Sequence, residues 1–471
     1  MAFNREYKKV KSPRKNSQRD GAPNILLAVG LVGLSAWLTW KTNENKLAFL
    51  SPPIISSLSE QIKYKIAESE RPKVINPGAI EEVKDSKYLE IDKKAFSVHY
   101  QGTSVSELAA ILSQYAKTEP EKARIAYSWI THNINYDVPA FLSGNYEVLS
   151  PEEVLTTRQA ICSGYANLYR SLAKAMGLNA IIINGYAKGG SYIVGSGSEI
   201  NHGWNGVKIN GGWYLVDATW GAGTVNDNKF NKNFNPYYFA TPPNQFIYDH
   251  LPSDADWQLL AKPYNKQQFD KMPDVSPQFF ANKLRLISHR STTIRTKGSV
   301  KISLSAPSNI IVASRLKQDS EFVEGNYTLA QKENNTIVVS ATFPSAGNYE
   351  LEIYSKQNNE SGAYKQALNY NIVADATGNE YPLAYGTFSE KGAYLYSPVE
   401  RYLPAQESLN FKISVPQALE VRVIDSSYNK LTQLTRSGSV FQGNVFVSSG
   451  KVQVVAKFPG DERYWTLLEY N

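Results

Sequence analysis

The second half of the chain repeats itself, and that repeat constrains the fold more than any other feature. Val300, Ile302, Leu304 and Pro307 recur as Leu409, Phe411, Ile413 and Pro416, an offset of 109 residues. Ile310 and Val312 recur as Leu419 and Val421 at the same offset. Further on, Ala341, Phe343, Pro344 and Tyr349 align with Ala456, Phe458, Pro459 and Tyr464 at an offset of 115, a difference that one inserted loop would give. Period-two alternation puts successive apolar residues on one face of a strand. A unit of about 110 residues built from such strands has the size of an immunoglobulin-like β-sandwich. Two all-β sandwiches are therefore expected, over residues 278–375 and 376–471. Neither repeat holds a cysteine pair or clustered acids suited to calcium, so recognition or spacing is the expected role.

With 471 residues the chain is also too long for these two units alone, and about three domains is the ordinary expectation. The net charge of +7 is unevenly placed. Residues 1–23 carry seven basic side chains against Glu6 and Asp20, a tail of +5, which leaves the remainder near +2. The high isoelectric point describes that tail, and no nucleic-acid partner is implied. Asn24 to Trp40 follows as an uncharged apolar run with Lys41 directly after it. Seventeen residues at 1.5 Å rise cover roughly 25 Å, enough to cross a bilayer core at the short end of the range. The expectation is a single-pass transmembrane signal-anchor over 24–40, with the basic tail cytoplasmic and everything after Trp40 outside. A cleaved signal peptide is the alternative, although no small-x-small cleavage site follows the run; a buried soluble helix is a third reading. Residues 41–95, with Ser-Pro-Pro at 51–53 and Asn-Pro-Gly at 76–78, read as a linker with a weak helix over 55–67.

From Ser106 the pattern turns helical, with Leu108, Ile111, Leu112 and Tyr115 on one face. Glu119-Pro120 opens a second helix that runs to Asn135, and a third starts near Cys162. In that third helix Tyr165, Leu168, Tyr169, Leu172 and Met176 face one way and Gly177 stops it. Strands are expected over 180–186, 203–209 and 213–218, the last two joined by the hairpin signal Asn210-Gly211.

Cys162 is the only cysteine, which excludes an intrachain disulfide and any multi-cysteine zinc site. A lone cysteine at a helix start is ordinarily a small buried hydrophobe. Here the first turn of a helix would favour a thiolate through unpaired N–H groups and the helix dipole. His202 heads the first hairpin strand and Asp217 ends the second, so antiparallel pairing brings them to one end of the ribbon. That is the placement a general base and its orienting carboxylate need. The other histidines, His99, His132, His250 and His289, show no such arrangement and read as structural or surface residues. No HExxH spacing and no phosphate-cradling glycine loop occurs, so neither metal nor cofactor is expected.

Ala160-Ile161-Cys162-Ser163-Gly164-Tyr165-Ala166 resembles the cysteine motif of the transglutaminase-like superfamily. Asn201-His202-Gly203-Trp204-Asn205 is similar to its histidine motif, and the stretch from Tyr214 to Gly223 to its aspartate motif, with Ala218 where a β-branched residue is common. The stretch from Lys122 to Ile130 with Asn135-Tyr136-Asp137, and the one from Tyr238 to Pro243 with Phe246-Ile247-Tyr248 and Trp257-Gln258-Leu259-Leu260, resemble the branch related to kyphoscoliosis peptidase. The likeness covers residues 96–260. It implies a papain-like α+β fold, with the family's Cys, His and Asp carried onto Cys162, His202 and Asp217 as a catalytic triad. That branch is also similar in carrying β-sandwich modules after the catalytic domain.

The expected protein is multidomain: a transmembrane helix, an α+β papain/transglutaminase-like domain, then two immunoglobulin-like sandwiches. Its expected function is that of an exported thiol hydrolase or acyltransferase acting on protein or peptide amides, either cleaving or cross-linking them. A surface scaffold or adhesion protein that keeps the fold only to bind is the alternative.

Overall fold

The computed structural model describes residues 88–144, 147–189, 199–427, 430–448 and 450–471. The basic tail, the apolar run 24–40 and the expected helix over 55–67 lie outside the described residues. Among those that are described, no helix is long and apolar enough to cross a membrane.

Capping residues set where the helices begin. Ser104 accepts the backbone N–H of Glu107 ahead of α2 (Val105–Ser113). Thr118 and Glu121 form a reciprocal capping box ahead of α3 (Glu119–Asn133), with a proline in its first turn. These two helices follow α1 (Leu89–Ser97), which the linker reading had divided at residue 95. Helix α1 belongs to the same core: Tyr88, Ile91 and Ala95 are buried in it. It docks on α3 through a charge. The Asp92 carboxylate accepts two parallel hydrogen bonds of 2.8 Å from the Arg124 guanidinium, and both side chains are almost without solvent. Rings of Tyr88, Tyr127, Phe234 and Phe239 surround that guanidinium at 5.0–5.5 Å.

Helix α4 (Cys162–Ala175) runs through the centre of this core. Tyr165, Leu168, Tyr169 and Leu172 are fully buried on the face the 3.6-residue period selects. Gly177, at φ +85°, ends it as expected, with its N–H on the Lys174 carbonyl and that of Leu178 on Ala173. The sheet against α4 is antiparallel throughout. It is built from β1 (Asn179–Ala187), β2 (His202–Ile209), β3 (Gly212–Val216), β4 (Phe239–Thr241) and β5 (His250–Pro252), in the order β4-β3-β2-β1-β5. Asn210 and Gly211 both adopt positive φ, 50° and 84°, and turn β2 into β3.

The β-rich half holds two sandwiches. In the first, β6 (Ser299–Ser305) and β8 (Thr336–Thr342) are the central strands of a four-stranded sheet. Strands β7 (Ile310–Gln318), β9 (Gly347–Gln357) and β10 (Lys365–Ala374) build the facing sheet. The core between them includes Ile302, Leu304, Val339, Leu351 and Tyr370, and also takes in Val275, ahead of residue 278. The second sandwich repeats the order. There β11 (Glu407–Ser414) and β13 (Val440–Val447) share one sheet, and β12 (Glu420–Asp425), β14 (Val452–Lys457) and β15 (Trp465–Tyr470) the other.

Half of the sequence repeat survives this comparison. Strand β6 corresponds to β11 and β7 to β12, so the offset of 109 is a structural one. The offset of 115 is not. Ala341 lies on β8, which pairs with β6, whereas Ala456 lies on β14, which pairs with β12 in the opposite sheet. An apolar strand followed by Phe-Pro occurs in each module on a different sheet, and matching those residues skipped one strand.

Candidate active site

Cys162 starts α4. No side chain caps this helix, because the residue before it is Ile161. The N–H groups of Gly164 and Tyr165 bond to the Ile161 carbonyl, which leaves those of Cys162 and Ser163 without a side-chain cap. The parallel pairing of Asn135–Tyr136 with Gln159–Ala160 delivers the chain to that point. Gly164 allows the close pass: a Cβ there would stand 2.6 Å from that of Ala160.

His202 opens β2 and is buried. Asp217 sits one residue past β3, not within it, and caps the short helix Ala218–Ala222. Its Oδ1 accepts the N–H of Thr219 at 2.7 Å and of Trp220 at 3.1 Å. Those two bonds fix the carboxylate plane and leave Oδ2 facing inward. His202 Nε2 donates to that oxygen at 2.7 Å. With Nε2 so engaged, Nδ1 is the ring nitrogen not held by Asp217, and the Cys162 side chain acts on the same ring. Of the three residues singled out from the sequence, His202 and Asp217 are joined by a hydrogen bond, and Cys162 is close enough to act on the same imidazole.

The electrostatics follow from the burial. Desolvation by itself pushes the His202 imidazole down, but the Asp217 carboxylate and the Cys162 side chain outweigh it and push it up to about 10. Desolvation likewise works against the Asp217 charge, yet His202 and His250 hold its carboxyl well below the usual carboxylate range.

His250, read from the sequence as structural or surface, joins the same network from the interior. It is fully buried, and its Nε2 donates to the same Asp217 Oδ2 at 3.0 Å. Its Nδ1 meets Asp249 Oδ1 at 2.6 Å, and the Tyr238 hydroxyl donates to Asp249 Oδ2 at 3.2 Å. Nothing local marks it. His250 reaches the site because the three-residue strand β5 pairs with β1, Ala187 opposite His250. The neighbouring Asp249 was the one available clue.

Nitrogens of His202 and His250 and an oxygen of Asp217 lie within 4.8 Å of one another, a donor set that a transition metal accepts. The separations of 2.7 and 3.0 Å are those of N–H···O hydrogen bonds, with both rings donating to one carboxylate. A separate cleft of about 350 Å³, lined by Arg315, Phe322, Tyr327 and Pro382 among others, lies on the sandwich side of the molecule and includes none of these residues.

A cysteine at an uncapped helix start, facing a histidine that leads a strand and an aspartate at the hairpin's open end, is the arrangement the sequence likeness implied. Residues 106–218 match the transglutaminase-like superfamily. The chain carries a transglutaminase-like domain. Residues 266–385, which follow it, match the KY-like, immunoglobulin-like domain. Kyphoscoliosis peptidase of Mus musculus is 32% identical over 278 residues, 57% of this chain and 40% of that protein. The Homo sapiens protein of the same name gives the same identity and coverage. Lim and transglutaminase domain protein ltd-1 of Caenorhabditis elegans is 28% identical over 252 residues, 50% of this chain and 33% of that protein. These matches take in well under half of the relatives' own lengths. The likeness to the kyphoscoliosis-peptidase branch thus covers both the transglutaminase-like domain and the sandwich that follows it.

Proposed function

We propose that the protein is a thiol enzyme acting on protein or peptide amides, held at a membrane by residues 24–40 with its body on the outer side. The His202–Asp217 pair, with Cys162 acting on the same imidazole, supports the enzyme reading, and the uncharged apolar run of residues 24–40 supports the tether. The Cys162 sulfur attacks the amide carbonyl, forming a carbon–sulfur bond, while the first-turn N–H groups of α4 receive the developing oxyanion. Nδ1 of His202, having taken the thiol proton, returns it to the departing amine as the carbon–nitrogen bond breaks. Water then attacks the thioester with His202 as base and yields an acid. A lysine-type amine attacking instead yields a new amide. The name peptidase borne by the mouse and human relatives favours water as the acceptor.

Alkylation tests the reading. Cys162 should react with iodoacetamide near pH 6 well ahead of a free thiol, and His202→Ala should abolish that lead. A Cys162 that reacts like free cysteine would leave the binding-scaffold alternative in its place. Glutamine-containing peptides offered with a labelled amine separate cleavage from cross-linking. Release of the body by protease shaving of intact cells tests the tether, and full protection would refute it.

A further inference from the structure

The pairing of Asp249 and His250 gives the site a second, mirror-image dyad behind the first. Asp217 Oδ2 faces the Nε2 of both histidines, and an ionised carboxylate only accepts. His250 must therefore carry a proton on Nε2. Its Nδ1 faces an oxygen of Asp249 at 2.6 Å, and opposite an ionised Asp249, whose other oxygen accepts from the Tyr238 hydroxyl, this nitrogen donates too. A ring with both nitrogens donating is an imidazolium. The surroundings agree with that reading independently of any hydrogen bond. Phe246 stacks on the His250 ring with centroids 4.1 Å apart, and Trp220, Trp204 and Tyr238 close round it at 4.5, 5.0 and 6.0 Å. Four aromatic rings thus enclose it, Phe246 by stacking and Trp204 and Tyr238 edge-on, and a cation lying on an aromatic face is attracted to it.

We propose that Asp249 and the aromatic cage keep His250 as a standing imidazolium, and that this buried cation positions Asp217 while drawing off part of its charge from His202. The inference rests on the triad reading for its purpose. A thiolate–imidazolium pair held too tightly would keep the proton that the leaving amine needs, and a second cation on the same carboxylate oxygen loosens it. His250 touches neither substrate nor thiol and is a positioning residue. Burial opposes its charge, but Asp249 and Asp217 together raise its proton affinity above the ordinary imidazole value. The titratable groups facing the network from other elements are few. Tyr127, Tyr165, Tyr237 and Tyr238 are phenols that burial keeps protonated. Lys188 acts on Asp249 from the end of β1, with Asp274 beyond it.

The test is the protonation of the ring itself. The chain has five histidines, so ¹⁵N-histidine labelling of the full-length protein gives a short spectrum, in which the His250 signal is the one lost in His250→Gln. In the wild type both His250 nitrogens should still read as protonated at pH values where an ordinary histidine has lost one proton. In Asp249→Asn one ring proton should be lost, and His202 should hold its own proton about tenfold more tightly, a shift of about one pH unit. A wild-type His250 that reads neutral, or titrates near the ordinary value, overturns the proposal without need of any variant. So does a folded Asp249→Asn protein in which His202 is unmoved. Iodoacetamide reactivity, measured on the same samples, keeps the two ideas apart. A doubly protonated His250 next to an unreactive Cys162 supports the dyad and refutes the enzyme.

Discussion

The Asp217 carboxylate holds His202 through a single oxygen, 2.7 Å from Nε2, while its other oxygen is pinned by two backbone N–H groups of the helix it caps. Asp217→Asn keeps the cap but reverses the sense of the inner contact. An amide nitrogen donates, so His202 would have to accept at Nε2 and carry its proton on Nδ1, facing Cys162. Turnover on a peptide amide should fall by a factor on the order of 10⁴, with the fold retained by circular dichroism. A loss of less than about tenfold would show that the tautomer is set elsewhere.

The same pair makes stability depend on pH. His202 binds its proton more tightly in the folded state, about 10 against an ordinary 6.5, so its contribution is complete below about pH 6.5. It is lost as the pH rises through 10. Thermal melts of the wild type should therefore fall progressively across that window. His202→Gln should give a flatter profile there, and equal slopes in the two proteins would count against the pairing. Asp217 works in the opposite direction and adds a loss towards acid.

Arg124 and Asp92 bind α3 to α1 with almost no water nearby. Removing one partner strands the other, so Asp92→Ala should cost about 3–5 kcal/mol in denaturant unfolding. The double change Asp92→Leu with Arg124→Met should recover most of that loss. If the double variant is as unstable as the single one, the neighbouring rings and not the stranded charge set the cost.

Gly185 lets β5 lie against β1. A Cβ there would stand 2.1 Å from the Leu251 carbonyl oxygen and 2.8 Å from the Pro252 Cα. Gly185→Ala should lower stability by about 1–3 kcal/mol and displace the strand that carries His250. Cys162 alkylation should change with it. An unaltered alkylation profile in a destabilised protein would separate packing at β5 from the chemistry at Cys162.

Hydrophobic period and turn chemistry made α4, the β2–β3 hairpin and the approach of His202 to Asp217 legible. What they concealed was polar or non-local. Helix α1 was divided because its anchor is a buried Asp92 while Leu89 is largely exposed, the reverse of the pattern that periodicity detects. Asp217 read as a strand end because a cap and a strand terminus favour the same residue type. His250 stayed hidden because a three-residue edge strand has too few alternations to announce itself. The misaligned second repeat shows how a motif as short as Phe-Pro can match across opposite sheets.

The position of β5 at the sheet's edge also orders events in time. A chain emerging amino end first presents Cys162, His202 and Asp217 while the residues of β5 are still to come, and β1 can pair with β2 without them. Until β5 docks, Asp217 has one imidazole instead of two. A newly made chain can complete its buried charge network only after the strand at residue 250 has been made.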